Sequence, residues 1–191
     1  VTEARYDGLG RLTHVWLPGR DRGVWSDDAS IEHDYTIRND NQGTVVTTRR
    51  VRHDNGYIVS YAFYDGMLRP RQTQSQDGTG GSGAVVTDTY YDSAGRTARV
   101  TNPYLTPPEA GMRDVLYVPS NETLPAATEI RYDGAGRVSR QTLRGGVAPG
   151  SPGGEPVHVT TYGYGGDRID TTPPTGGVVT SAISDAAGRT V

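Results

Sequence analysis

The sequence contains no cysteine, which removes disulfides, thiolate catalysis and Cys-zinc sites together. Residues that fill a thick core are scarce, with one Phe, two Met and only 34% hydrophobic residues in all. Thin layers of sheet suit such numbers better than one large core. No apolar run approaches the roughly 18 residues that a membrane span requires. An excess of one charge is missing as well: 19 basic and 22 acidic residues give −3, with no basic block. Nucleic-acid surfaces normally show a clustered positive face, so nucleic acid is not an expected partner. An export signal needs a basic start and an apolar stretch, and VTEARYDGLG has neither. No Met opens the chain, and both of its ends lie at a repeated phrase. The expectation is a single repeat segment, 1–191, cut from something longer.

What is present is Gly (26), Pro (12) and Tyr (12), with many runs dominated by Val and Thr. That is the composition of half-buried strands. A phrase recurs at YDGLGRL (Tyr6, Asp7, Gly10, Arg11), YDGMLRP (Tyr64, Asp65, Arg69), YDSAGRT (Tyr91, Asp92, Gly95, Arg96), YDGAGRV (Tyr132, Asp133, Gly136, Arg137) and SDAAGRT (Ser184, Asp185, Gly188, Arg189). The steps are uneven. Worn copies fill the gaps, NDNQGTV keeping Asp40 and Gly43, and YGGDRID keeping Tyr164 and Arg168. The interval then falls to roughly 20–30 residues, the range of solenoids and arrays.

Each copy reads as a β-hairpin. In TEIRYDGAGRVSRQTL (128–143), Ile130 and Tyr132 alternate with Glu129, Arg131 and Asp133. Asp133 opens a tight turn because its carboxylate accepts from backbone N–H groups two residues on. Gly136 falls where a short hairpin needs positive φ. Tyr132 and Arg137 are expected to meet across the hairpin as a cation–π pair. The departures, Leu68 for the turn Gly and Ser184 for Tyr, put those two turns in doubt.

Further strands are predicted at 44–52, 57–64, 84–91, 158–164 and 177–183, with Asp54-Asn55-Gly56 as a hairpin turn between the first two. QDGTGGSG (76–83) and GGVAPGSPGGEP (145–156) read as flexible loops. Single helical turns are allowed at 102–114 and 26–34. The fold class is all-β, an array of antiparallel hairpins.

On these residues, the copies at 6–13, 91–97 and 132–138 resemble the YD repeats of Rhs and YD-repeat proteins, a family that includes Tc-toxin C components and teneurins. The resemblance spans essentially the whole chain, with 60–74 and 161–177 similar to variant repeats. It implies a long sheet coiled into a spiralling hollow shell, part of a large secreted or surface protein. In toxin members the shell encloses a C-terminal cargo polypeptide, which a downstream module with an Asp-Pro motif cleaves free. Asp-Pro occurs nowhere here. The implied role is non-catalytic wall, partnered by neighbouring repeats and an enclosed toxin. The strand edges at the two ends make edge-to-edge self-association of the segment a further expectation.

Sharper chemistry finds little support. Gly78, Gly80 and Gly83 match G-x-G-x-x-G, but no helix is predicted after them. His14, His33, His53 and His158 lack metal-ligand spacing. The acidic neighbours Glu32 and Asp34 make a solvated patch at His33. Asp77, Asp88 and Asp27-Asp28 belong to no twelve-residue calcium loop. Ser82 and Ser151 miss the nucleophile-elbow phrase. No cofactor is expected, and the recurring Asp residues have a turn role that accounts for every copy. The rival reading is a carbohydrate-binding or cell-surface adhesion module, its tyrosines forming an exposed stacking platform for glycans. Exposure of Tyr35, Tyr57, Tyr61, Tyr104 and Tyr117 separates the two readings. Asn121-Glu122-Thr123 is a glycosylation sequon meaningful only in a eukaryotic secretory setting.

Overall fold

The computed structural model describes residues 1–24, 28–40, 42–78, 81–118, 124–147 and 155–191. The described residues contain strands and turns and no helix. In chain order the strands are β1 (Glu3–Tyr6), β2 (Leu12–Trp16), β3 (Ile31–Thr36), β4 (Thr44–Val51), β5 (Tyr57–Tyr64), β6 (Pro70–Gln76), β7 (Ala84–Tyr91), β8 (Thr97–Thr101), β9 (Tyr104–Leu105), β10 (Leu124–Tyr132), β11 (Val138–Val147), β12 (Glu155–Gly165), β13 (Arg168–Thr172) and β14 (Thr180–Ile183). The chain is an all-β array of antiparallel hairpins, as its alternation predicts.

Two compact units divide it: Val1–Asp88 with Leu105–Tyr117, and Thr89–Tyr104 with Val118–Val191. In the first unit, β1 to β7 pair in strict chain order, each with its sequence neighbour. Alternation decides which face is covered. Val45 and Thr47 on β4, Phe63 on β5, Gln72 and Gln74 on β6, and Ala84, Val86 and Asp88 on β7 are buried on one face. The registers Val45↔Phe63, Phe63↔Gln72 and Gln72↔Asp88 put them side by side. Truncating a ring as buried as Phe63 costs about 3–5 kcal/mol in such cores. The segment Leu105–Tyr117 belongs to the same unit, and Thr106 ties it to β7. Its N–H donates to the Ala84 carbonyl and its Oγ1 accepts the Ala84 N–H.

In the second unit the last residues of β7 pair with β8, followed by β10 to β14 in chain order. Its covered face is charged as well as apolar. Ala127, Thr101 and Thr142 are buried beside Arg99, and Arg144 Nε donates to Glu129 at 2.7 Å.

Two expectations need correction, and one strand was not predicted. The allowance for helical turns gives one reverse turn, the Ala110 N–H to Pro107 carbonyl, and the described part of 26–34 is extended rather than helical. The polar run at 70–76 is a strand, because its alternate glutamines find buried partners. Strand structure also reaches into the stretch read as loop at 145–156: β11 runs to Val147 and β12 starts at Glu155. Gly80, Asp27, Ser151 and the sequon at 121–123 lie outside the described residues.

Candidate functional site: the Asp–Arg turn and its tyrosine

The repeated phrase builds one structure five times. At Asp7, Asp65, Asp92, Asp133 and Asp185 the Asp N–H donates to the carbonyl four residues on, at 2.8–3.0 Å. The Asp carbonyl accepts the N–H three residues on at 2.9–3.0 Å. This is a type I turn closed by a residue in the left-handed region. Gly136 holds that position with φ 80°, which a Cβ would disfavour.

The carboxylate is fully committed. In the turn at Asp133, Oδ1 accepts the N–H groups of Ala135 and Arg137 at 2.9 Å, and Oδ2 accepts Arg137 Nε at 2.8 Å. Every copy repeats this, with Nε to Oδ2 between 2.6 and 2.8 Å. All 19 basic residues of the chain are arginine. Only a planar guanidinium can hold a carboxylate with one edge and lie flat on a ring with its face. A register shift just before the Tyr of the four Tyr-Asp copies turns the strand into the hairpin.

These bonds set the ionisation of the five carboxyls, each held below the ordinary Asp range. The leading cause is the Arg backbone N–H at Asp7, Asp92 and Asp133, and the guanidinium at Asp185. At Asp65 burial is the largest single influence and acts upward, but the bonds from Arg69 and Met67 outweigh it. Carboxylates held ionised this way are poor proton donors at neutral pH.

The expected Tyr132–Arg137 contact across one hairpin does not form. Three of the five arginines reach instead over a tyrosine of the next strand in the sheet: Arg11 over Tyr35 at 4.5 Å, Arg96 over Tyr132 at 4.4 Å and Arg137 over Tyr164 at 4.1 Å. The hydroxyl of each covered tyrosine donates to the carbonyl of the residue after that arginine, Leu12, Thr97 and Val138, at 2.8–3.0 Å. The phrase is therefore a joint between hairpins and not a clasp within one. The reason is register: extending the pairing His14↔Glu32 brings Arg11 opposite Tyr35, and extending Arg140↔Thr161 brings Arg137 opposite Tyr164.

Both doubted turns form. Leu68 takes the left-handed position with φ 59°, and Asp185 makes the full set of bonds although Ser184 precedes it. A sixth copy of the turn lacks the phrase altogether. At Arg52–Gly56 the same two backbone bonds form, and Asn55 has φ 61°. Asp54 lies inside the turn, accepting from the Gly56 N–H at 3.0 Å and from Arg52 Nη2 at 2.6 Å. Asp-Asn-Gly was the available signal, since Asn tolerates positive φ. Of the worn copies, Asp40 accepts the Gln42 N–H while Gly43 has φ 76°. Arg168 pairs with Asp170, beyond a two-residue hairpin turn.

The tyrosines form no row of exposed rings. Tyr35, Tyr57, Tyr61 and Tyr117 are half-buried, Tyr104 is buried, and of all twelve only Tyr6 is exposed. Tyr57 illustrates this: burial and its bond to Glu32 push its hydroxyl up to about 12.

No protein-family model matches the chain, and no curated protein matches it.

A second constellation, invisible in the phrase, occupies the covered face of the first unit. Gln72 Nε2 donates to Asp88 Oδ1 and to the Tyr117 carbonyl, both at 2.8 Å, and Gln72 Oε1 accepts the Tyr117 N–H at 2.9 Å. Gln74 Nε2 donates to Gln72 Oε1 at 2.9 Å and the Val115 carbonyl at 2.8 Å, while its Oε1 accepts the Arg113 N–H. The side-chain amides stand in for a strand, pairing with the backbone of 113–117. Gln42 accepts the Leu116 N–H, and Arg38 pairs with Asp114 at 2.7 Å. His33, the histidine with acidic neighbours, bonds Thr48 Oγ1. Its burial and the nearby Arg50 charge lower its pKa.

Proposed function

We propose that this chain is a non-catalytic wall segment of a large secreted or surface protein of the Rhs/YD-repeat kind, part of a β-shell around a C-terminal toxin or other cargo. The observation that carries the reading is the five-fold Asp–Arg turn. Every acceptor site of its carboxylate that faces the turn is filled, and its arginine joins one hairpin to the next where that contact is described. Residues consumed in joints are suited to construction and not to turnover. Half-buried tyrosines with internally bonded hydroxyls support wall over a sugar-stacking platform.

The test is limited proteolysis of the full natural polypeptide, with mass spectrometry of what survives. A resistant C-terminal polypeptide, released only on denaturing the repeats, is the expected result. Rapid loss of everything outside the repeats would overturn the enclosure reading. Glycan titration of the 191-residue chain is then the next experiment.

A further inference from the structure

The turn that lacks the repeated phrase, Arg52–Gly56, holds a reactive pair. Of the five asparagines in the sequence, Asn55 alone precedes a glycine; the others precede Asp, Gln, Pro and Glu. Glycine leaves the following peptide nitrogen unshielded by any side chain. Asn55 is exposed, and Gly56 lies just outside the β4–β5 ladder, whose last pair is Val51↔Tyr57. Two neighbours are placed on the atoms that would react. Arg20 Nη1 donates to Asn55 Oδ1 at 3.0 Å, and the Gly56 N–H donates to Asp54 Oδ1 at 3.0 Å. Arg20 is itself anchored, its Nε donating to the Asp28 carbonyl at 2.6 Å. The turn also keeps the glycine in place. A Cβ at residue 56 would come within 3.1 Å of Asp54 Oδ1 and 3.2 Å of Arg52 Nη2, crowding the Arg52–Asp54 ion pair.

We propose that Asn55 is a site of spontaneous self-modification, in which the Gly56 nitrogen closes a five-membered imide on the Asn55 side chain. The nitrogen gives up its proton to Asp54 and bonds to Asn55 Cγ, while the negative charge develops on Oδ1 beside the Arg20 guanidinium. The Cγ–Nδ2 bond then breaks, and Nδ2 takes that proton and leaves as ammonia. Water opens the imide at either carbonyl, leaving an aspartyl or an isoaspartyl residue at 55. Water enters, ammonia departs, and nothing is oxidised or reduced. The isoaspartyl form lengthens the main chain by one atom. The two bonds that close the turn, from the Asn55 N–H to the Arg52 carbonyl and from the Arg52 N–H to the Gly56 carbonyl, then no longer fit together. The repeat turns do not share this fate although Asp7, Asp65 and Asp133 also precede glycine. Imide closure there must expel water from a neutral carboxyl, and both oxygens of each carboxylate are engaged by its arginine. The β4–β5 turn is thus the point at which the array ages, whether or not it encloses a cargo.

The test is incubation of the folded chain at mildly alkaline pH, followed by peptide mapping. A gain of about 1 Da confined to the peptide holding Asn55, with isoaspartate detected at that residue, is the expected result. Arg20→Gln should slow the gain about ten-fold, less than a buried oxyanion hole would lose because this site is open to water. Asp54→Ser, which removes the proton acceptor, should slow it as well. In urea both variants should match the unfolded parent, since the assistance belongs to the fold. The isoaspartyl product, separated by charge, should unfold at a lower temperature than the Asn55→Asp variant, which shares its charge but not its longer chain. No mass gain at residue 55 in the folded parent, or folded rates that neither variant slows, would overturn the proposal.

Discussion

The two ends of β6 follow opposite rules. At its start, Asp65 and Arg69 close a turn from five consecutive residues, and the same turn recurs wherever the phrase does. A few residues on, Gln72 and Gln74 bond a segment about forty residues away in sequence, through side-chain amides and not through a turn. One end is written locally and copied. The other is a long-range arrangement in which buried side-chain amides replace backbone. The difference teaches where such an array is robust and where it is fragile. A local turn lost at one hairpin leaves the others intact, whereas a broken amide in the covered face strands several buried polar groups together.

The largest expected effect is therefore at the glutamines. Gln72→Leu keeps the size but removes the buried amide's bonds to Asp88, to the Tyr117 N–H and carbonyl, and to Gln74. Unsatisfied buried groups cost about 1–3 kcal/mol each, so a loss of about 3 kcal/mol is expected in urea unfolding. A loss of about 0.5 kcal/mol or less would mean that the amide network adds nothing. Next is Gly43→Ala, where an added Cβ would meet the Tyr64 carbonyl oxygen at 2.6 Å and the backbone has positive φ. About 2–3 kcal/mol should be lost, because neither strain is open to relief by a rotamer change. An unchanged melting temperature would contradict that close approach.

The turns predict a pH effect with a definite sign. Their carboxyls titrate below the ordinary Asp value of about 3.9, so their contribution is complete above that pH. It is lost as pH falls through the depressed folded values. Carboxyl titration by NMR should place Asp7, Asp65, Asp92, Asp133 and Asp185 all below the unfolded reference. A midpoint at or above the reference in any of them would remove that turn from the set. The smallest effect is a gain. Leu68 bears the cost of a side chain at φ 59°, so Leu68→Gly should stabilise by about 1 kcal/mol, read as a raised unfolding midpoint. Destabilisation would mean that the exposed Leu68 side chain has a contact of its own to lose.

The same contrast explains what could be read from the sequence. The turns at Asp92 and Asp133 were legible because Asp, Gly and Arg act within five residues through hydrogen bonds that chemistry dictates. Strands β4, β5 and β7 announced themselves by alternation. Strand β6 did not, since alternation of Gln with Arg, Thr and Ser carries no apolar signal, and only the distant partners make Gln72 and Gln74 core residues. The partner of Arg137 was misassigned for a related reason. Proximity in sequence pointed Arg137 at Tyr132, but strand register, which is set by the following hairpin, carries it to Tyr164. Arg52–Gly56 escaped as a sixth copy because its Asp sits inside the turn rather than at its opening.

The joint between hairpins is the central claim, and a double-mutant cycle tests it most directly. Arg137→Ala would be combined with Tyr164→Leu and, separately, with Tyr132→Leu, each unfolded in urea. The expected result is a coupling of about 0.5–1 kcal/mol for Arg137 with Tyr164 and none for Arg137 with Tyr132. Coupling to Tyr132 in place of Tyr164 would contradict the joint and return the phrase to a clasp within a single hairpin.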